Sequence, residues 1–299
     1  MLLYVTEKKG GPMINNQKKQ LIDLIIQRKQ VFDTLKIKTM NDHDFMVAER
    51  IANLIPNVSP TFSLTGSQIS CKEALDRSYY YLNTFGLIYS KQASDKAEKT
   101  DILKIFDWPF LFTTFVEYSF DKENKKVDKK SGVVNHFKTP KIFDEVSPMW
   151  LAHEHIHSLK ETNYFEYIDG QIFGDVIPMF FELLIADNSS KKQEKSFLKN
   201  RLFLLKNEYD STRQMKNELP IDLYNTYATS SMQYLNSYYY SLRLYELYQK
   251  NREDILTKIR DVLNGTKTTH VILQELNLLY NYDNDKAKQG VAKVMNRIM

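Results

Sequence analysis

Three of the six histidines fall within five residues: His153, His155 and His157, with Glu154 and Ile156 between them. The string contains His-Glu-x-x-His. On a helix, His153 and His157 stand one turn apart on the same face, so both imidazoles can reach one metal ion. Two neutral nitrogen donors suit zinc, which activates water as a Lewis acid. Glu154 is rotated by about 100° from His153 and can sit beside that water as its general base. His155 points away from the pair and suits a supporting, substrate-facing or structural place. Zinc needs a third protein ligand while leaving one position open to water. Asp175 lies 18 residues after His157 and Glu182 lies 25 after it, in the segment QIFGDVIPMFFELLIAD. Seven apart, they share a helix face, so one can bind metal while the other orients a histidine. Glu161 is a further option nearer a helix end, and Pro178 predicts a kink in the helix carrying the two carboxylates. The competing reading is an amphipathic helix whose histidines are exposed or hydrogen-bonded.

A second group of polar side chains lies between 224 and 248. Tyr227, Tyr234, Tyr238, Tyr245 and Tyr248 recur at three-, four- and seven-residue spacings and form one broad stripe on a helix. Such a stripe is either helix packing with each hydroxyl satisfied or the wall of a wet cavity. A neutral phenol can donate to the oxyanion of a tetrahedral intermediate. Tyr238 and Tyr240 are two apart, so they cannot both face one point squarely.

Helices must position these groups. The pattern predicts helices over 15–36, 41–55, 67–85, 91–105, 147–160, 171–186, 190–216, 223–249, 252–264, 269–280 and 284–297. Asn41 or Asp42 is a cap, and Ser147 followed by Pro148 is a helix start. Residues 109–120, PFLFTTFVEYSF, read as a strand, with GVVNHF as its return. Residues 109–116 are a candidate edge for an extended peptide, while Arg243 reads as a surface ion pair and His136 as a turn residue. Helices, a small sheet, then helices again describe one mostly α domain of two intimate lobes. The division expected is 1–64 as an amino-terminal helical segment and 65–299 as a mostly helical domain with its β region at about 109–136.

Composition bounds the rest. The 299 residues are 42% hydrophobic and 26% charged, which is ordinary for a globular chain able to bury its own core. One cysteine, Cys71, excludes an intramolecular disulfide framework and any metal site built on several thiolates. The formal charge of +4, from 41 basic and 37 acidic side chains, is too balanced to suggest nucleic acid. No apolar run is long enough to cross a membrane. The start MLLYVTEKKGGPM lacks the order of a secretory signal, so the cytoplasm is the expected compartment. Met13 is an alternative start to Met1.

The sequence resembles the oligopeptidase family of zinc peptidases, the group of thimet oligopeptidase and oligoendopeptidase F. LAHEHIHSL is similar to that family's His-Glu-x-x-His helix. IFGDVIPMFFELL is similar to its segment of a ligand glutamate followed seven residues later by another. YLNSYYYSLRLYELYQKNREDILTKIRDVLNG, with VILQELNL after it, resembles the tyrosine-rich helix and the short helices closing the catalytic lobe. YYYLNTFG and PFLFTTF fit more loosely, and the resemblance spans about residues 65–280. It implies a mainly α, zincin-like metallopeptidase catalytic lobe with a small β-sheet or hairpin and a helical wall to the substrate cleft. It also implies Zn2+ as cofactor, short peptides as substrate, and tyrosines that bind substrate and stabilise the oxyanion. The family's pattern best matches Tyr238 and Tyr240, with Tyr234 as a further match; Tyr234 and, from its direction on the helix, His155 are the expected substrate-binding residues. The seven-residue spacing puts the third ligand at Asp175, and the 25-residue separation from His157 puts it at Glu182.

The expected function is therefore zinc-dependent hydrolysis of short peptides by an oligopeptidase-like endopeptidase. His153, His157 and Asp175 or Glu182 hold the metal, and Glu154 activates the water. Two other readings remain open: a catalytically inactive or regulatory peptide-binding relative, and a helical protein-interaction module.

Overall fold

The computed structural model describes residues 15–35, 38–56, 68–85, 146–159, 172–188, 192–264, 266–279 and 285–298, together with five short strands between 104 and 140. Its helices are α1 (Asn15–Leu35), α2 (Asp42–Leu54), α3 (Cys71–Thr84), α4 (Ser147–Leu159), α5 (Val176–Asn188) and α6 (Lys192–Gln214). A 3-10 turn, Met215–Asn217, then leads to α7 (Ile221–Lys250), α8 (Arg252–Leu263), α9 (Thr269–Glu275) and α10 (Asp285–Ile298).

Local chemistry explains several helix starts. The Asn41 side chain accepts from the Asp44 amide at 3.0 Å, and Asp44 accepts from the Asn41 amide at 3.0 Å. This reciprocal box satisfies two donors that α2 would otherwise leave bare. Ser70 caps α3 by accepting from the Glu73 amide, and Thr268 caps α9 by accepting from that of Val271. Pro178 does not kink α5, because the helix begins only at Val176. The proline then sits in the first turn, where an N–H has no partner to lose. Asp175 is left just ahead of the helix, its carbonyl accepting from the Met179 amide at 2.9 Å.

The strands are β1 (Lys104–Phe106), β2 (Thr113–Glu117), β3 (Phe120–Asp121), β4 (Lys126–Val127) and β5 (Val134–Pro140). β5 lies between β1, which runs parallel to it, and antiparallel β2, and β3 pairs with β4. Of the helix predicted over 91–105, only Lys104 and Ile105 are described, and both belong to β1.

The core is built by helices. At 30 residues, α7 is about 45 Å long and is packed by α1, α2, α5, α6, α8 and α10. α5 is buried from Val176 through Ala186. A helix apolar on all sides has no solvent face to offer and must be enclosed. The histidine helix α4 lies against α3 and α5, with β2 touching it. This corrects the expected fold class. The described core is helix packed on helix around α7, not a zincin-like catalytic lobe with a cleft wall.

Phe180 is fully buried in α5, its ring 5.7 Å from that of Tyr248 and 6.5 Å from that of Tyr245. Phe180→Ala opens a cavity at this junction and is expected to cost about 3–5 kcal/mol in urea unfolding.

Candidate functional site

α5 carries one charged side chain in its enclosed stretch, Glu182, which is 1% exposed. A carboxylate withdrawn from water to that degree must be paired. Arg201 of α6 supplies the pair: one Nη donates to Glu182 Oε1 at 2.5 Å, and Nε donates to Oε2 at 3.3 Å. The guanidinium lies over the Trp150 ring, 4.3 Å from its centroid, and Trp150 meets Phe197 edge to face at 4.7 Å. Arg201 is thus shielded on one side by α4 and held in its plane by α5.

His153 joins this pair from α4. Its Nδ1 lies 2.7 Å from Glu182 Oε1, and its Nε2 lies 3.1 Å from Asp175 Oδ1. Burial alone would push the imidazole pKa down. The Glu182 charge and the hydrogen bonds to Asp175 and Glu182 outweigh that effect and the opposing push of Arg201, raising it to about 9. The ring is therefore an imidazolium at neutral pH, donating both N–H groups to carboxylates. Burial likewise raises the Glu182 pKa, but Arg201 and His153 overcome it and hold the carboxylate ionised. Two cations and two anions make a neutral quartet tying α4, α5 and α6 together.

The predicted site residues divide accordingly. Asp175 and Glu182 do not compete for one role; they occupy opposite nitrogens of one ring. The side chains of Glu154 and His157 lie outside the described residues, as does Glu161. His155 is buried and stacks on Tyr79, with ring centroids 5.0 Å apart, and burial lowers its pKa to about 4. Tyr238 is fully buried, and its pKa is raised by burial and then by Glu182. Tyr234 is raised by burial, with Asp175 and Glu208 adding to it. Both phenols stay neutral beside the quartet. Tyr240 is elsewhere, its ring 5.4 Å from Phe173 and 5.2 Å from Tyr239. Two positions on from Tyr238, it is rotated by about 200° around α7. Arg243 pairs with Glu246.

Sequence reasoning missed Arg201. Its signal was an arginine standing four residues from Phe197 and four from Leu205, within the apolar stripe of α6. A cation there needs a buried anion.

No family model, no curated protein and no solved structure matches this chain. The oligopeptidase resemblance therefore does not hold, and the zinc, metallopeptidase and protease readings fall with it. Among the described residues, no group of three or more His, Cys, Asp or Glu side chains could hold a metal ion. The geometry gives the reason. The two nitrogens of His153 diverge, so carboxylates at opposite ends of the ring do not converge on one point. Among these residues there is accordingly no support for Asp175 or Glu182 as metal ligand, or for Tyr238 and Tyr240 as an oxyanion pair.

Arg201→Leu leaves the buried Glu182 carboxylate without its guanidinium partner and is expected to cost about 3–5 kcal/mol in chemical unfolding. Replacing both members of the pair, as Glu182→Gln with Arg201→Met, should recover most of that loss. The two histidines act on opposite sides of neutrality. The His153 contribution is complete below pH 6.5 and is lost as pH rises toward 9. That of His155 is complete above pH 6.5 and is lost as pH falls toward 4. His155→Phe, which keeps the stack on Tyr79, should flatten the acid limb of the pH–stability curve and leave the alkaline limb unchanged.

Proposed function

We propose that the chain is a helical protein-interaction module working in the cytoplasm, and that the quartet is its internal staple. The observation that carries this reading is that the quartet closes on itself. Each charge of His153, Asp175, Glu182 and Arg201 has an opposite charge within hydrogen-bonding distance. Groups so committed hold helices in register and have no free valence for a reacting carbonyl. The outer surface then supplies the working contacts. Tyr80 of α3 and Ile221 of α7 are the most exposed large apolar side chains described, at 69% and 68%. Tyrosine suits such a place, since it brings large area, few rotatable bonds and a polar tip. No helix among the described residues is long and apolar enough to cross a membrane.

The test is site-specific photo-cross-linking in the native cell, with the probe at position 80 or 221 and at the exposed, polar Glu253 as control. A discrete polypeptide adduct at 80 or 221 and none at 253 is the expected result. Metal content per chain is measured in parallel, after purification without chelator or histidine tag. Absence of adducts at both apolar positions, or one zinc per chain with loss of stability on chelation, would overturn the proposal.

A further inference from the structure

α7 is enclosed over most of its surface, but one strip of it stays partly open. Leu223, Tyr227 and Tyr234 are half-buried and, at spacings of four and seven, share one face of the helix. Two charged side chains turn inward toward α7 from helices packed on it. On α1, Arg28 stands between Ile25 and Phe32, both buried, so it lies on the face that α1 lays against α7. Its guanidinium carbon is 5.8 Å from the Phe32 ring centroid, and its Nε is buried without a hydrogen-bond partner. On α6, Arg201, Leu205, Glu208 and Thr212 follow one another at spacings of four, three and four. Leu205 and Thr212 are buried, so Glu208 also lies on an inward face.

Both charges come to Tyr234. Burial is the main cause of its raised phenol pKa; Asp175 and Glu208 add to it, and Arg28 and Arg201 oppose it. One hydroxyl thus lies within electrostatic reach of all four charged groups. Asp175 and Arg201 belong to the quartet. Arg28 and Glu208 do not, and neither makes a hydrogen bond or ion pair with another described residue. Opposite charges brought to one phenol from two helices do not close on each other here. Arg28, Glu208 and Tyr234 all keep contact with solvent, so the space between the two charges opens outward. Burial raises the Glu208 carboxyl to about 7 against the positive charges near it, and a cation placed directly on the carboxylate would favour its ionised form. A bound cation alone would leave Arg28 unmatched, and a bound anion alone would leave Glu208 so. A ligand carrying one charge of each sign matches both: its carboxylate takes the Arg28 guanidinium and its ammonium donates to Glu208. The Tyr227 and Tyr234 rings offer an apolar wall to the carbon chain joining the two charges.

We infer that the cleft between Arg28 of α1 and Glu208 of α6, floored by Tyr234 of α7, binds a small zwitterion of the amino-acid class. The inference is independent of the interaction-module reading and stands or falls on its own test.

The probes are glycine and 6-aminohexanoate, a short and a long zwitterion, with acetate and ethylamine as single-charge controls. Each is titrated into the full chain at neutral pH and matched ionic strength, by thermal shift and calorimetry. At least one zwitterion should raise the melting temperature dose-dependently and bind about tenfold more tightly than either control. Arg28→Gln and Glu208→Gln should each weaken that binding about tenfold, with the surface variant Lys72→Ala unchanged. A response to glycine alone assigns an α-amino acid, to 6-aminohexanoate alone an ω-amino acid, and to both the shared pair of charges. Tyr234→Phe keeps the ring while removing the hydroxyl, and must also weaken binding; it stands in if either charge variant does not fold. No response to either zwitterion, an equal response to acetate or ethylamine, or unchanged affinity in the variants that fold overturns the inference and leaves solvent as the partner of both charges.

Discussion

Glu182 is the constraint around which the described helices are arranged. An apolar helix enclosed on every side can hold a carboxylate only if cations come to it. Arg201 and His153 do so from α6 and α4. Replacing such a buried network with apolar side chains is often neutral for stability, whereas removing one member is costly. Its contribution is therefore to register. Only one sliding position of α4, α5 and α6 brings the imidazolium between Asp175 and Glu182 while seating the guanidinium on Trp150.

α7 distributes that order through the molecule. Ser237 and Ser241 hydrogen-bond to backbone carbonyls at the start of α5, and their small side chains let the two helices approach closely. At the other end of α5, Asp187 accepts from Tyr245 of α7 and from Arg297 of α10. The same residue thus fastens the last helix to the first layer of the core. α10 comes in close at Gly290, where a Cβ would meet the Glu246 carboxylate at 2.4 Å. Serine and threonine hydroxyls that bond back to carbonyls of their own helix help so polar a helix to be enclosed at little cost.

Much of the helical order was legible from the chain. The start of α2 could be read at Asn41 because its cap and Asp44 lie three residues apart, and such contacts need no tertiary partner. The pattern around 171–186 was harder. An apolar run announces burial but not where helix geometry begins, so Pro178 read as a kink, whereas the start at Val176 makes it a first-turn residue. The 3.5-period stripe of tyrosines correctly placed Tyr238 and Tyr240 on different faces. It carried no information about which face would meet charge.

The histidine motif marks the boundary between the two kinds of information. Spacing alone suggested that His153 and two carboxylates further along the chain, Asp175 and Glu182, could meet, although Asp175 lies just ahead of α5 and not on it. Whether they would surround an ion or one another depended on Arg201, 48 residues from His153 along the chain. Local sequence determines capped helix starts such as Asn41, because those interactions span one turn. The charge state of a buried histidine depends on every group within a few ångströms, and only tertiary packing decides which groups those are. Here packing set a carboxylate at each nitrogen and a guanidinium behind one of them, turning the expected metal ligand into the cation of a structural network.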